Sequence, residues 1–490
     1  MEELKFDCKN YPELKFFKMN KLIFSIALFF LSTFLSVAQN ALSLQEAIDL
    51  GIKNNLDVNQ SDFAMQKQNI ALKQTKAFML PDLNANANHG INQGRSIDPF
   101  TNSYINQNVN YASYGASTSV LLFNGSSLQN RIKQNSLAYD AAKMEWQQAK
   151  DNVTINIILA YLQILSAEDV LAQSRQQAVV SNRQAERLEI LNREGAISPS
   201  ELYDVKGQVA NEQLTIADNE AALEIAKLNL CQLMNIPYDR NLKVQKLPEE
   251  PMSMSKVGLP ETIYATALDN FAQIKAVRFR TLSADKAIRA ARGELFPTLL
   301  LNGNLNSNYS SAASQSFFLN TTPAVSSNYV EVNGNQYPVI IEQNNFKNEK
   351  IKYGDQVKNN LFSSVNIGLS IPIFNASQTR NKIKLAKIDF ENNNRIEDNA
   401  KTELQQSIER AYLNATNALN KYTILQSQVA AFEESFRSAD VRFNAGAINS
   451  VDYLIAKNNL DKAQTNLIIA RYDFTLRTKV LEYYKGEKNN

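Results

Sequence analysis

From Leu361 to Phe443 a period-two pattern runs straight into a helical pattern too long for an ordinary globular domain. In Leu361–Ile373 the odd positions Leu361, Val365, Ile367, Leu369, Ile371 and Ile373 are apolar, Ser363 excepted, while Ser364, Asn366, Gly368 and Ser370 are small or polar. That alternation marks a strand with one oily and one wet face. Beyond Ile373-Phe374-Asn375-Ala376-Ser377, apolar and small residues recur at steps of four and three. The series runs through Leu404, Ser407, Ala411, Asn414 and Ala418, then Leu425, Val429, Phe432, Phe436, Ala439 and Phe443. This is a heptad-like seam. At ~1.5 Å per residue the helix reaches about 100 Å.

The chain carries this arrangement twice. Leu122-Phe123-Asn124-Gly125-Ser126 matches Ile373-Phe374-Asn375-Ala376-Ser377, and Gly195-Ala196-Ile197 matches Gly446-Ala447-Ile448. Upstream, Leu80-Pro81 matches Phe296-Pro297, and a helix at Leu44–Asn55 matches one at Leu259–Asn270. A duplication of this kind constrains the fold more than any single motif. The first repeat is predicted at residues 39–258: helices, strands at about 83–92 and 111–123, a long helix at 126–192, a return helix at 200–234 and a linker at 236–258. The second spans 259–490, with a helix at 259–296, strands at about 298–308 and 361–374, a long helix at 377–443 and a return helix at 451–484. Phe123, Asn124 and Gly125, with Phe374, Asn375 and Ala376, are the predicted strand-to-helix junctions.

Lys18-Met19-Asn20-Lys21 precedes an apolar run from Leu22 to Val37 that ends in Ser36-Val37-Ala38. Basic flank, apolar centre and small residues read as a signal peptide cleaved after Ala38. The same pattern places a translation start at Met19. A membrane anchor is the alternative, although the run is short against the ~20 residues that a span needs. The remainder offers no run long enough for a membrane-spanning helix.

The strands acquire meaning beside that leader. Leu83-Asn84-Ala85-Asn86-Ala87-Asn88 and Leu301-Asn302-Gly303-Asn304-Leu305-Asn306 alternate apolar or small residues with Asn. Tyr114, Ala116, Thr118, Val120 and Leu122 face one way, and Gly115, Ser117 and Ser119 the other. Periodicity alone fits a half-buried soluble sheet as well as a transmembrane barrel; the leader and the lack of hydrophobic helices favour the barrel. Lipid tolerates no unpaired backbone and small barrels need about eight strands, so four strands per chain require at least two copies. The segments 93–110 and 310–360, rich in Asn, Ser, Gly and Tyr and holding Pro99, Pro323 and Pro338, read as solvated extracellular loops. His89 reads as a lone side chain facing a wet lumen.

The first long helix repeats the seam at Ala142, Trp146, Ala149 and Val153, then at Ile157, Ala160, Ile164, Ala167 and Leu171. Ser198-Pro199-Ser200-Glu201 is a capping box with proline at the first helical position, and Asn449-Ser450-Val451-Asp452 is its counterpart. A net charge of +2 gives no indication of a nucleic-acid partner. A single His, the two distant cysteines Cys8 and Cys231, and no phosphate loop leave no catalytic, metal or cofactor constellation. An enzyme is not expected.

Taken together, the duplication, the Phe-Asn-Gly/Ala-Ser junctions, and Arg442-Phe443-Asn444-Ala445-Gly446 followed by Asp452-Tyr453-Leu454, Ala456 and Leu460 resemble outer-membrane efflux proteins of the TolC family. The resemblance covers the whole mature chain. It implies an α+β membrane protein: a homotrimer sharing a twelve-stranded transmembrane β-barrel in the outer membrane of a Gram-negative bacterium, continued by a long α-helical barrel in the periplasm. It further implies passive export of small molecules (drugs, toxic compounds or metals) with a periplasmic adaptor protein and an inner-membrane transporter as partners. A duct for type I protein secretion is the alternative within the fold, and a non-pore coiled-coil scaffold the alternative outside it. By position, the family's acidic constriction falls on Glu201 and Asp452. A further family acid is replaced by Ile455, with Asp204 holding the corresponding place in the first half. Glu201 and Asp452 also sit where a carboxylate caps a helix, so capping and pore lining both stand. Adaptor docking is implied at Gly195, Ala196, Arg442, Phe443, Gly446 and Ala447, and both glycines also suit left-handed helix C-caps.

Overall fold

The computed structural model describes residues 41–97, 102–106, 108–248 and 252–486. The predicted signal peptide with its cleavage site, Cys8 and Pro99 lie outside these residues.

In chain order the elements begin with α1 (Leu44–Asn54), α2 (Leu56–Ala77), β1 (Asp82–Asn92), β2 (Arg95–Ile97), β3 (Tyr104–Asn106) and β4 (Val109–Phe123). There follow α3 (Ser127–Arg193), α4 (Pro199–Leu233), α5 (Pro260–Asn270), α6 (Ala272–Gly293) and β5 (Thr298–Ser310). The rest is β6 (Ser314–Val332), β7 (Asn335–Lys350), α7 (Tyr353–Asn359), β8 (Phe362–Ser370), α8 (Gln378–Asn444) and α9 (Ser450–Lys485). The long helices α3 and α8 have 67 residues each. The expected helix at 259–296 is broken at Phe271, which is extended (φ −68°, ψ 124°). Asn55 makes the equivalent break between α1 and α2, its Oδ1 accepting from the Asp57 and Val58 amides and so restarting the helix.

The chain forms two compact units. The first comprises the described residues up to Ser61, those within Trp146–Phe271 and those from Thr402 onward. Its core is built around the most apolar stretch of α3, where Ile157, Ile158, Tyr161, Leu162, Ile164 and Leu165 are buried with Ala47, Ile48, Leu230 and Met234. By length and composition that helix could cross a membrane; here its apolar side is instead the seat of a packed core. Cys231 is fully buried. The Tyr161 hydroxyl lies 2.8 Å from the Leu42 carbonyl and 2.7 Å from that of Gln245, fastening both segments to α3.

The second unit holds Asp62–Glu145 and Ala272–Lys401. Its four-stranded antiparallel sheet has the order β1-β4-β5-β8. Register carries the sequence alternation across all four strands. Asp82, Ser119, Asn302 and Asn366 form one row and Asn84, Ser117, Asn304 and Ser364 the next, so one face is lined with amides and hydroxyls. The opposite face carries rows such as Leu83, Thr118, Gly303 and Val365, with Val120, Leu301 and Ile367 beside them. His89 belongs to the Leu83–Ala85–Ala87 face and not to the Asn face expected of it, because it is an even number of residues from Leu83. β8 ends at Ser370 instead of running to 374; Pro372 has no amide to continue the ladder. Among the described residues, β1 pairs only with β4 and β8 only with β5, leaving an unpaired edge on each side.

The 310–360 segment is not the irregular loop expected. Ser314–Val332 and Asn335–Lys350 pair as a long hairpin whose turn residues Asn333 and Gly334 both have positive φ (54° and 78°), as a two-residue hairpin turn requires. Asn and Gly at those places were the available signal. Behind it, α7 covers the part of β5 that β8 does not reach. Gln356 is buried there, its Oε1 accepting from the Ser310 amide and its Nε2 donating to the Ser310 and Ile351 carbonyls. It satisfies the strand edge as a neighbouring backbone would.

At the other end of the sheet lie the strand-to-helix junctions. Gly125 and Ser126 (φ 64° and 61°) and Ala376 and Ser377 (φ 50° and 60°) each make two successive left-handed residues. The Asn124 carbonyl accepts from the Ser127 amide at 3.1 Å, and that of Asn375 from Gln378 at 3.0 Å. At Gly125 a Cβ would lie 2.4 Å from the Gly293 carbonyl oxygen, so glycine is required for space as well as for φ.

Candidate functional site at the helical tips

The tips of two helix hairpins, α3–α4 and α8–α9, lie in the first unit, and all nine tip residues singled out from the sequence lie at or within about a turn of them. Both long helices end in the same way. Gly195 (φ 72°) and Gly446 (φ 69°) are left-handed, and the amides of Ala196 and Ala447 reach back to the carbonyls of Leu191 and Arg442, each at 2.8 Å. These are Schellman ends. A Cβ on either glycine meets nothing within 4 Å, so glycine serves backbone conformation here and not close packing.

The return helices start with caps that leave two carboxylates uncommitted. Ser198 Oγ accepts from the Ser200 amide at 3.2 Å, and Asn449 Oδ1 accepts from the Asp452 amide at 2.9 Å. Among the described residues neither the Glu201 nor the Asp452 carboxylate completes the reciprocal capping box that the sequence pattern suggests for both turns. Both carboxylates stand in the first turn of their helices, where their charge favours the N-terminal dipole. Asp204 is the engaged one: its Oδ2 accepts from the Ser450 hydroxyl at 2.8 Å, across the two hairpins and at the positive end of α9.

Phe443 does not offer the docking surface expected of it. It is buried with Leu188, Leu202, Val205 and Tyr453, stacking on Tyr453 at 4.7 Å between ring centroids. Arg442, Gly446, Ala447, Gly195 and Ala196 are exposed. The difference follows from the seam: Phe443 closes the same four-three series that buries Leu425, while Arg442 is one step off it.

From the turns inward, polar rungs tie one hairpin to the other. The Arg187 guanidinium bonds the side-chain oxygen of Asn444, and its Nη2 reaches the Asn444 carbonyl at 3.3 Å. Gln208 pairs with Asn458 at 2.9 Å, and Gln173 with Gln464 at 2.7 Å. Farther along, Asp169 accepts from Arg471 at 2.6 Å and from the Tyr472 hydroxyl at 2.8 Å.

At the centre of the ladder is an ion cluster that the sequence reading missed. Lys457, with its side chain 2% exposed, lies 2.8 Å from Glu212 Oε1 and 2.5 Å from Asp461 Oδ2. Ser181 and Gln208 also donate to Glu212 Oε1, at 2.8 and 2.9 Å, while Glu212 Oε2 is buried without a partner among the described residues. Burial pushes the Asp461 carboxyl above its ordinary value, and the Lys457 ammonium only partly offsets this. Two acidic side chains thus share one lysine in a buried setting. The missed signal was positional: Tyr453, Lys457 and Leu460 follow the four-three rhythm, so a lysine occupies a seam position.

The family model for outer membrane efflux proteins matches residues 34–235 and 263–484, one stretch in each half. The chain belongs to this family. Toxin and drug export protein A of Aggregatibacter actinomycetemcomitans is 19% identical over 340 residues, covering 69% of this chain and 64% of that protein, so the match spans just under two thirds of the relative's length. Outer membrane protein TolC of Salmonella enteritidis is 20% identical over 463 residues, covering 93% of this chain and 83% of that one. In fold, the chain is similar to the Campylobacter jejuni CmeC outer membrane channel, with a TM-score of 0.71, 15% identity, and coverage of 90% of this chain and 85% of that one. This efflux protein thus shares the helix-rich channel fold with its strands, and its tip is the part where its own side chains depart most from expectation.

Proposed function

We propose that three copies of this efflux protein close a twelve-stranded barrel in the outer membrane and a helical barrel in the periplasm, forming a passive export duct. The observation that carries this reading is the open sheet. It has an amide-lined face, an apolar face, and an unpaired edge on each side. In lipid those edges must find partners, and β1 of one copy against β8 of the next supplies them. The apolar face also has a suitable height. From Leu299 to Tyr309 the strand rises about 33 Å, or about 25 Å at a barrel tilt of ~40°. Tyr114, Tyr309 and Tyr353 cluster at one end, and Phe123, Phe296 and Phe374 are exposed at the other, as interfacial aromatics would be.

In this reading the hairpin tips are the periplasmic entrance. Glu201 and Asp452 supply the acidic constriction, with Asp204 part of the clasp that closes it. The exposed turns at Gly195, Ala196, Arg442, Gly446 and Ala447 receive a periplasmic adaptor, which links the duct to an inner-membrane transporter. Small toxic molecules are the cargo. Export of protein through the same duct is the second reading, favoured by the similarity to a relative whose name joins toxin and drug export. Planar-bilayer recording tests the duct: the purified full chain should give discrete conductance steps, and a preparation that leaves the bilayer silent refutes it. Loss of drug tolerance on deletion separates small-molecule export from protein secretion.

A further inference from the structure

The β6–β7 hairpin is oily on both faces and blunted on both edges. Val325, Tyr329 and Ile340 share one face; Val330, Tyr337 and Ile341 share the other; all six are about half exposed or more. An isolated two-stranded ribbon of this length is at best marginally stable in water. Pro323 on one strand and Pro338 on the other, with register shifts at Phe318/Asn320 and Val325/Tyr329, discourage edge-to-edge pairing. What remains to be covered is two faces, and one chain covers neither among the described residues.

A lipid surface, or a single partner on one side, would account for one apolar face. A ring of identical subunits accounts for two, because each copy has a different neighbour on either side. The hairpin also rises from β5 and returns through α7 to β8, the strand whose free edge awaits the next copy. We propose that the β6–β7 hairpins of neighbouring copies pack face against face into a closed collar at the loop end of the barrel. The inference rests on the shared-barrel reading above. Hairpin roots would stand about 19 Å apart along the wall, four strand spacings of ~4.8 Å, whereas packed sheets lie ~10 Å apart. The ribbons must therefore lean toward the axis, and the collar narrows the mouth.

The test is pulsed electron spin resonance on the full chain in detergent or lipid, spin-labelled at Ile340→Cys near the middle of the hairpin or at Asn348→Cys at its root. Cys231 is buried and stays unlabelled, and the second cysteine is removed as Cys8→Ser. The collar predicts intercopy distances shorter at position 340 than at 348, by up to about 10 Å. Val325→Asn with Ile341→Asn should lengthen the 340 distance and leave the 348 distance unchanged. Coupling at 348 with longer distances or no coupling at 340 means splayed hairpins and overturns the collar while leaving the shared barrel intact. No coupling at either position overturns both.

Discussion

Replacing Lys457 by methionine removes the only cation from the buried cluster and leaves Glu212 and Asp461 facing each other. The lysine side chain is 2% exposed and the two carboxylate side chains 9% and 18%, so solvent screening does little to relieve the loss. Removing one partner of a buried ion pair costs about 3–5 kcal/mol. At ~1.4 kcal/mol per factor of ten, local opening of α9 against α4 becomes roughly 10²- to 4 × 10³-fold more frequent. Hydrogen exchange followed by mass spectrometry reads this directly as faster exchange in α9 around positions 453–465, with the β-sheet amides as an unaffected reference. The loss should depend on pH. Asp461 already titrates above its unfolded value, so the folded cluster binds more protons than the unfolded chain, and stability falls as pH rises through that interval. Without Lys457 the interval widens, so the variant should exchange more slowly at about pH 5 than at about pH 7.5, base-catalysed chemistry corrected for. Adding Glu212→Leu and Asp461→Leu should restore protection, since apolar replacement of a whole buried ion cluster is neutral or stabilising. Unchanged α9 exchange in the single variant, or no recovery in the triple one, refutes the reasoning.

Glu201→Gln with Asp452→Asn should weaken cation preference in bilayer recordings while costing each helix at most about 1 kcal/mol, whereas Asp204→Asn should raise the open probability by loosening the bond to Ser450. Unaltered selectivity in the first variant would remove both acids from the pore. Ala376→Gly relieves a left-handed alanine and should stabilise the assembly by about 1 kcal/mol, seen as a higher melting temperature; a lower one would contradict the strain argument. Gln356→Ala leaves the buried Ser310 amide without its side-chain acceptor, while the Ser310 carbonyl keeps the Ala313 amide, and should cost about 1–3 kcal/mol, measured by thermal unfolding of the solubilised protein.

Much of the architecture is legible because its signals are long. Period-two rows such as Asn302, Asn304 and Asn306 and the seam from Leu404 to Phe443 sum over many residues, and each error a single residue introduces is diluted. The mistakes fall where one residue overrules a pattern. Pro372 stops β8, Asn55 and Phe271 break helices, and the Asn333-Gly334 turn makes a hairpin of what composition alone reads as loop. Site roles are harder to read because they depend on what stands opposite. Asp204 reads as a constriction acid by position but meets Ser450 from 246 positions away, and Phe443 reads as a docking residue but faces Tyr453. Lys457, Glu212 and Asp461 lie on different helices or turns, so no local window contains the cluster.

Completion of the open sheet by other copies of the same chain is what makes the proposed duct possible. Native mass spectrometry of the full chain released from detergent micelles measures that directly. Three chains per particle, surviving until the micelle is stripped and the sheets lose their partners, is the predicted result. A particle of one chain that retains its β-sheet signal in water would contradict it.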